Sequence, residues 1–293
     1  MATSLWSTPL DNTSNAGFQA WATELIVKLL AVNTGQLTQT ADTGQLANPV
    51  VAARPSANTS AGYWILKWND GTSTPLYFRV DVGTGANTSI PRIQWQIGSG
   101  TDGAGNLTGA VSAQTIITVN VAAASAVTNY TSYLCCATGG FGLLWKGTAN
   151  SPSNTGEAFV LVARSIDDSG VVNNDGYLTV SPTSSPTSWS AQSVNLSNNV
   201  VFSSSASTMA SMAYNIIPLG ITSSVVGGNA QYFRCFAAYP LARPIGHMVA
   251  VIVAEFTMGT SFNGESGSIT DHTFLSLGRG GQQGTYCLAM LWQ

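Results

Sequence analysis

Over most of this chain the apolar side chains recur at every second position, and that period decides what it can fold into. The clearest stretch is "PRIQWQIG", where Ile93, Trp95 and Ile97 alternate with Arg92, Gln94 and Gln96, the pattern of a strand with one face buried. Just before it, "GYWILKWNDGTSTPLYFRVDVGTG" reads as two strands around a polar turn at Asn69, Asp70 and Gly71. Lys67 and Arg79 keep that pair from presenting bare apolar edges. Further strands follow in "QTIITVNVAA", "GFGLLWKG", "EAFVLVARSIDDSG", "GYLTVSP", "NVVFSSS", "AQYFRCFAAYPLA", "GHMVAVIVAEFTMG" and "GTYCLAMLWQ". "SASTMASMAYNIIPLG" is readable either as a short helix or as a strand. Successive parallel strands need a helix between them, and the pattern offers none. The sequence therefore predicts an all-β fold, an antiparallel β-sandwich, jelly-roll-like, over residues 36–293. Within it, "GFGLLWKG" and "EAFVLVARSIDDSG" echo the earlier strand pair. That weak duplication predicts similar hairpins in facing sheets, or two similar halves of the domain.

One helix is convincing, and it precedes the strands. Asn15 is the expected N-cap, and Phe18, Trp21, Ala22, Leu25 and Leu29 recur at helical spacing to make one apolar stripe. Glu24 and Lys28 stand four apart in the favourable order, and Asn33-Thr34-Gly35 supplies the stop. "MATSLWSTPL" ahead of the helix reads as an extended arm. A stripe carrying two large aromatics must be covered, by the domain that follows or by a neighbouring subunit. The second option is the expectation: residues 1–35 form an arm and docking helix, with Phe18, Trp21, Leu25 and Leu29 in the subunit contact.

Charge narrows the function. Only 8% of residues are charged, against roughly 25% in an average soluble domain. Apolar residues nevertheless reach 44%, so a full core can form. Ser, Thr, Asn, Gln and Gly stand in for the missing charges, giving a surface that loses little on desolvation at a subunit contact. The net charge is −3 with no Lys/Arg cluster, which argues against nucleic acid or an anionic membrane as partner. "LIVKLLAV" is too short to span a bilayer, and the opening residues lack the pattern of a secretory signal. Cys135, Cys136, Cys235 and Cys287 show no C-x-x-C spacing, and buried thiols in a reducing compartment are expected.

The candidate chemical motifs weaken on inspection. Gly98, Gly100 and Gly103 match the dinucleotide-binding G-x-G-x-x-G by letter. That site needs a helix after the loop and an acid about twenty residues on, whereas "AGNLTGAVS" leads into the β-branched run Thr115–Val119 and no acid lies between Asp102 and Glu157. The glycines are expected to give a wide turn with positive φ. Asp102 and Asn106 read as a side-chain-capped turn rather than a Ca²⁺ loop, since EF-hand spacing is missing. His247 and His272 offer no zinc spacing, and Asp271 beside His272 reads as a turn rather than part of a triad. Asp167, Asp168 and Asp175 flank a hairpin tip, where solvated acids belong, although a carboxylate pair across a cleft would serve a glycosidase. Trp64, Trp68 and Trp95 lie at strand periodicity and are expected in a core or interface. No cofactor or metal is expected.

One family resemblance rests on the order "GYWILKWND", "PLYFRVDVGTG", "PRIQWQIGSGTDGAGNLTG" and the closing "HTFLSLGRGGQQGTYCLAMLWQ". An aromatic strand ends in Asn-Asp, a second strand closes in Gly-x-Gly, and a third opens a glycine loop ending Leu-Thr-Gly. This resembles structural proteins of tailed bacteriophage virions, over residues 62–109 and the last twenty or so. The resemblance implies a non-catalytic virion component of the tail, neck, collar or fibre group. Such a subunit assembles with itself and with other virion proteins in the host cytoplasm. The alternative is a receptor-recognising adhesin that binds a host-surface glycan through polar loops at 98–109 and 181–190, with Asp102, Asn106 and Trp189 in contact. A polysaccharide-degrading enzyme is the third reading.

Overall fold

A computed structural model of the chain describes residues 2–88, 90–112, 114–118, 128–147, 158–167, 169, 171–182, 189–197, 200–206, 216–218, 232–237, 243–252, 261–264, 272–279 and 286–291. From residue 202 onward it describes strand backbones. The fold is all-β, with antiparallel sheets and a single helix among the described residues.

The smaller sheet is a meander: β2 (Leu37–Gln39), β3 (Ser60–Trp68), β4 (Leu76–Thr84), β5 (Pro91–Gly98) and β8 (Thr115–Thr118) pair in that order. A short hairpin of β6 (Gly100–Thr101) and β7 (Leu107–Thr108) interrupts it. The larger sheet begins with β1 (Ala2–Leu10), which pairs antiparallel with β9 (Thr128–Ala137) from Ala2 opposite Cys136 to Leu10 opposite Thr128. A second meander follows: β9, β10 (Gly140–Gly147), β11 (Ala158–Ile166), β12 (Val172–Pro182), β13 (Trp189–Asn195) and β14 (Val200–Ala206). The remaining strands are β15 (Ile216–Pro218), β16 (Tyr232–Ala237), β17 (Arg243–Ile252), β18 (Ser261–Gly264), β19 (His272–Arg279) and β20 (Tyr286–Leu291). β17 joins them to β11 through the single pair Ser165 and Ile245. Among the described residues, the non-local pairings in the larger sheet are those of β1 with β9, β11 with β17 and β17 with β20. The ambiguous "SASTMASMAYNIIPLG" contains strand β15, while 207–215 lie outside the described residues.

The sheets meet face to face through aromatic rings. Phe78 on β4 lies 5.1 Å from Phe141 on β10, and Trp95 on β5 stacks on Phe141 at 5.3 Å. Trp64, Trp68 and Trp95 are all buried here, as strand alternation required. The echoing hairpins β3–β4 and β10–β11 therefore sit in facing sheets. On β10, β11 and β12 both faces are covered. Phe141, Leu143, Val160 and Val162 turn toward the small sheet, and the alternate residues Leu144, Phe159, Leu161, Leu178 and Val180 are equally buried.

The N-terminal segment corrects the sequence reading. Helix α1 (Asn15–Ala31) is capped by Ser14, not Asn15: Ser14 is extended and its Oγ accepts from the Gly17 amide at 3.0 Å. Phe18, Trp21, Leu25 and Leu29, expected in a subunit contact, are at most 3% exposed within this one chain. The helix packs against β1 and β2, the strands that end the two sheets on one side. A sandwich is open between such edges, and the stripe fills that opening. Polar bonds fasten it: the Trp21 indole donates to Asn12 Oδ1 at 3.2 Å, and Gln19 donates to the carbonyls of Val51 and Ala52. The expected extended arm is β1, a strand paired with β9 of the same chain. Residues 2–35 are thus part of the sandwich.

Candidate functional site

Among the described residues, the glycine loop and its surroundings form a dense polar cluster outside the core. Gly98 ends β5, and Gly100–Thr101 pairs with Leu107–Thr108, so the matching residues build a hairpin and open no helix. Gly103, Gly105 and Gly109 have φ of 78°, 95° and 76°, conformations that favour glycine. Asp102 closes the turn: Oδ1 accepts from the amides of Ala104 (2.8 Å) and Asn106 (3.0 Å), and Oδ2 accepts from Asn106 Nδ2 at 2.7 Å. The bonds from Asn106, side chain first, hold the Asp102 carboxyl below its ordinary range.

This hairpin leans on residues 40–46. The Thr43 amide donates to the Gly103 carbonyl at 3.0 Å. Asp42 accepts from Thr40 Oγ1 (2.6 Å), from Thr101 Oγ1 and from the Gly105 amide. Burial pushes the Asp42 carboxyl up, but the bonds from Thr101, Thr40 and Gly105 outweigh it and leave the group below its usual range. Beneath the hairpin, on the outer face of the small sheet, Arg79 lies 4.1 Å over the Tyr63 ring. Its Nε and Nη2 donate to Asp81 at 2.9 and 3.1 Å, and its Nη1 donates to the Gly105 carbonyl at 2.6 Å. The bond to Asp81 raises the Arg79 pKa further. Tyr63 in turn donates to the Thr43 carbonyl at 2.7 Å.

Gly105 is the pin of this cluster. A Cβ there would collide with the Tyr63 hydroxyl, on a backbone at φ 95°. Gly105→Ala is expected to cost about 1–3 kcal/mol, read as a lowered denaturant midpoint, with Tyr63 fluorescence or NMR reporting its displacement. An unchanged midpoint would remove the pin. Chemically, the cluster is a preorganised polar surface whose acids and guanidinium are engaged by one another and by backbone.

The structure does not unite the three residues expected for recognition. Asp102 and Asn106 are together in the hairpin. Trp189 is the first residue of β13, paired with Pro182 and Ala206, and so belongs to a strand rather than to the expected loop. Of that loop, 183–188 lie outside the described residues, while Ser181 is buried in β12.

One charged pair escaped the sequence reading. Asp70, read as part of a polar turn, and Arg164 are both fully buried, with Arg164 Nε 2.8 Å from Asp70 Oδ2. Arg164 Nη2 also donates to Thr72 Oγ1 (2.9 Å) and the Thr74 carbonyl (2.6 Å), and the guanidinium stands 5.9 Å from the Trp68 ring centre. The signal was there: Arg164 shares the inward register of Val160 and Val162, so its guanidinium points between the sheets. This pair bolts the β3–β4 turn to the large sheet.

The other groups singled out have structural tasks. Asp167 Oδ1 accepts from the amides of Ser169 and Val171, and Asp175 accepts from Ser165 Oγ. Asp168 lies outside the described residues, as does Asp271. Cys135 and Cys136 are consecutive strand residues buried on opposite faces, and burial pushes the Cys136 thiol up to about 12. Cys235 and Cys287 fall in β16 and β20, His247 in β17 and His272 in β19. Among the described residues no helix is long and apolar enough to cross a membrane, and no His, Cys, Asp or Glu group could hold a metal ion. Compared with family models, with curated proteins and with solved structures, the chain matches none.

Proposed function

We propose that this chain is a structural protein of a tailed bacteriophage virion, an assembly subunit of the tail or neck region that forms symmetric homo-oligomers. The observation that carries the reading is a well-filled core inside a nearly uncharged chain whose sheets end in uncharged strands. β1 (ATSLWSTPL) and β8 (TIIT) end their sheets without a Lys, Arg, Asp or Glu, and expose Leu5 at 60% and Ile116 at 48%. A protein that stays solitary protects such edges with charge; a subunit leaves them open to its neighbours. The virion assignment itself draws on the resemblance over residues 62–109. That segment folds here as one unit, the β3–β4–β5 meander with its glycine hairpin.

The glycan-binding alternative draws less support, because Asp102 spends its acceptors inside its own turn and Trp189 belongs to a strand. The test is the native mass of the purified chain by size-exclusion chromatography with light scattering. A multiple of the chain mass is expected. A single-chain species at every concentration up to the solubility limit overturns the assembly reading.

A further inference from the structure

We infer that β1 is a self-pairing edge, along which two copies of this chain join antiparallel about a two-fold axis centred on Leu5. The inference rests on the homo-oligomer reading above and names its contact. Among the described residues β1 pairs with β9 and has no neighbour on its other side. Leu5, Ser7 and Pro9 are exposed, whereas Trp6 and Leu10 point into the core.

Pro9 shows which backbone groups face outward. It has no N–H, and its carbonyl accepts from the Asp11 amide at 2.9 Å. A proline is tolerated in a ladder where its nitrogen faces the open side. Because that direction alternates, the N–H and C=O groups of Thr3, Leu5 and Ser7 face the open side too.

The occupant that fits is β1 itself. Folded about Leu5, the segment sets Thr3 against Ser7, Ser4 against Trp6 and Leu5 against Leu5. No like charges meet, small hydroxyl side chains pair across the strands, and an exposed leucine is covered by its own copy. Pro9, with no N–H and its carbonyl taken by Asp11, stops the ladder on both sides and excludes registers shifted toward it. A strand pair alone buries less than the roughly 1,200 Å² of a stable interface. The contact is therefore concentration-dependent until other surfaces of an assembly add to it.

The test combines sedimentation velocity over a concentration series with cross-linking of a Leu5→Cys variant by a short bis-maleimide, the wild type serving as blank. Leu5 is exposed, so Leu5→Lys should fold, with circular dichroism as the check. It is expected to weaken self-association at least tenfold. Leu5→Cys is expected to give a covalent dimer above the blank, and Val171→Cys, equally exposed on the β11–β12 turn, is not. The cross-link decides the matter even if Leu5→Lys fails to fold. An oligomer indifferent to Leu5→Lys, or one that Leu5→Cys does not cross-link, overturns this contact and leaves the assembly reading standing. A wild type that never self-associates overturns both.

Discussion

A chain that begins at Gln36 is expected to lose the fold altogether. Such a truncation removes β1, which runs beside β9 along its whole length, and α1, which buries Phe18, Trp21, Ala22, Leu25, Ile26 and Leu29. Each large apolar side chain of that set contributes about 1.5–3 kcal/mol of burial, and a whole domain is stable by only about 5–15 kcal/mol. The loss also leaves β9 as the bare end of the large sheet and uncovers the inner face beside β2 that the helix fills. Expression should give insoluble or molten protein, with no cooperative melt by circular dichroism. A truncated chain that melts cooperatively would mean that residues 1–35 are the arm and docking helix their sequence alone suggested, not part of the sandwich.

The second large effect concerns the buried ion pair. Asp70→Ala is expected to cost about 3–5 kcal/mol, because it strands the Arg164 guanidinium, fully buried, without its counter-charge. Arg164 Nη1 already has no hydrogen-bond partner among the described residues, so the site has little reserve. The double variant Asp70→Leu with Arg164→Met should recover most of that loss, since both desolvated charges go together. Chemical denaturation of the two single variants and the double gives the coupling directly. A double variant as unstable as the sum of the singles would show that shape, not charge balance, governs this junction.

Strands and core tryptophans were legible because alternation is a local property of the sequence. Ile93, Trp95 and Ile97 declare an inward face without reference to any distant residue. The helix was legible for the same reason, down to its stripe. Its destination was not: an apolar stripe announces that something covers it, and nothing in residues 15–31 says whether that cover belongs to the same chain. The answer lay in β1 pairing with β9, a long-range register that no local pattern encodes. Asp70 and Arg164 are 94 positions apart, so each looked like an ordinary polar residue near a turn. The failed G-x-G-x-x-G could be dismissed from sequence, because the missing helix is local. That Gly105 instead accommodates Tyr63 and engages Arg79 depends on residues from β3 and β4. Trp189 read as a loop residue because Pro, Ser and Thr dominate its surroundings, whereas β12 and β13 are paired up to Pro182 and Trp189.

The strands β10, β11 and β12 are walled on both sides, and this bears on how such a protein can diversify. In β5 every other residue looks outward, but along 141–145 of β10, 159–166 of β11 and 176–181 of β12 every position is buried. Sequence change is thereby channelled to the outer face of the small sheet and to the turns above it. A lineage built on this frame can alter what it touches there while the way it stands stays fixed.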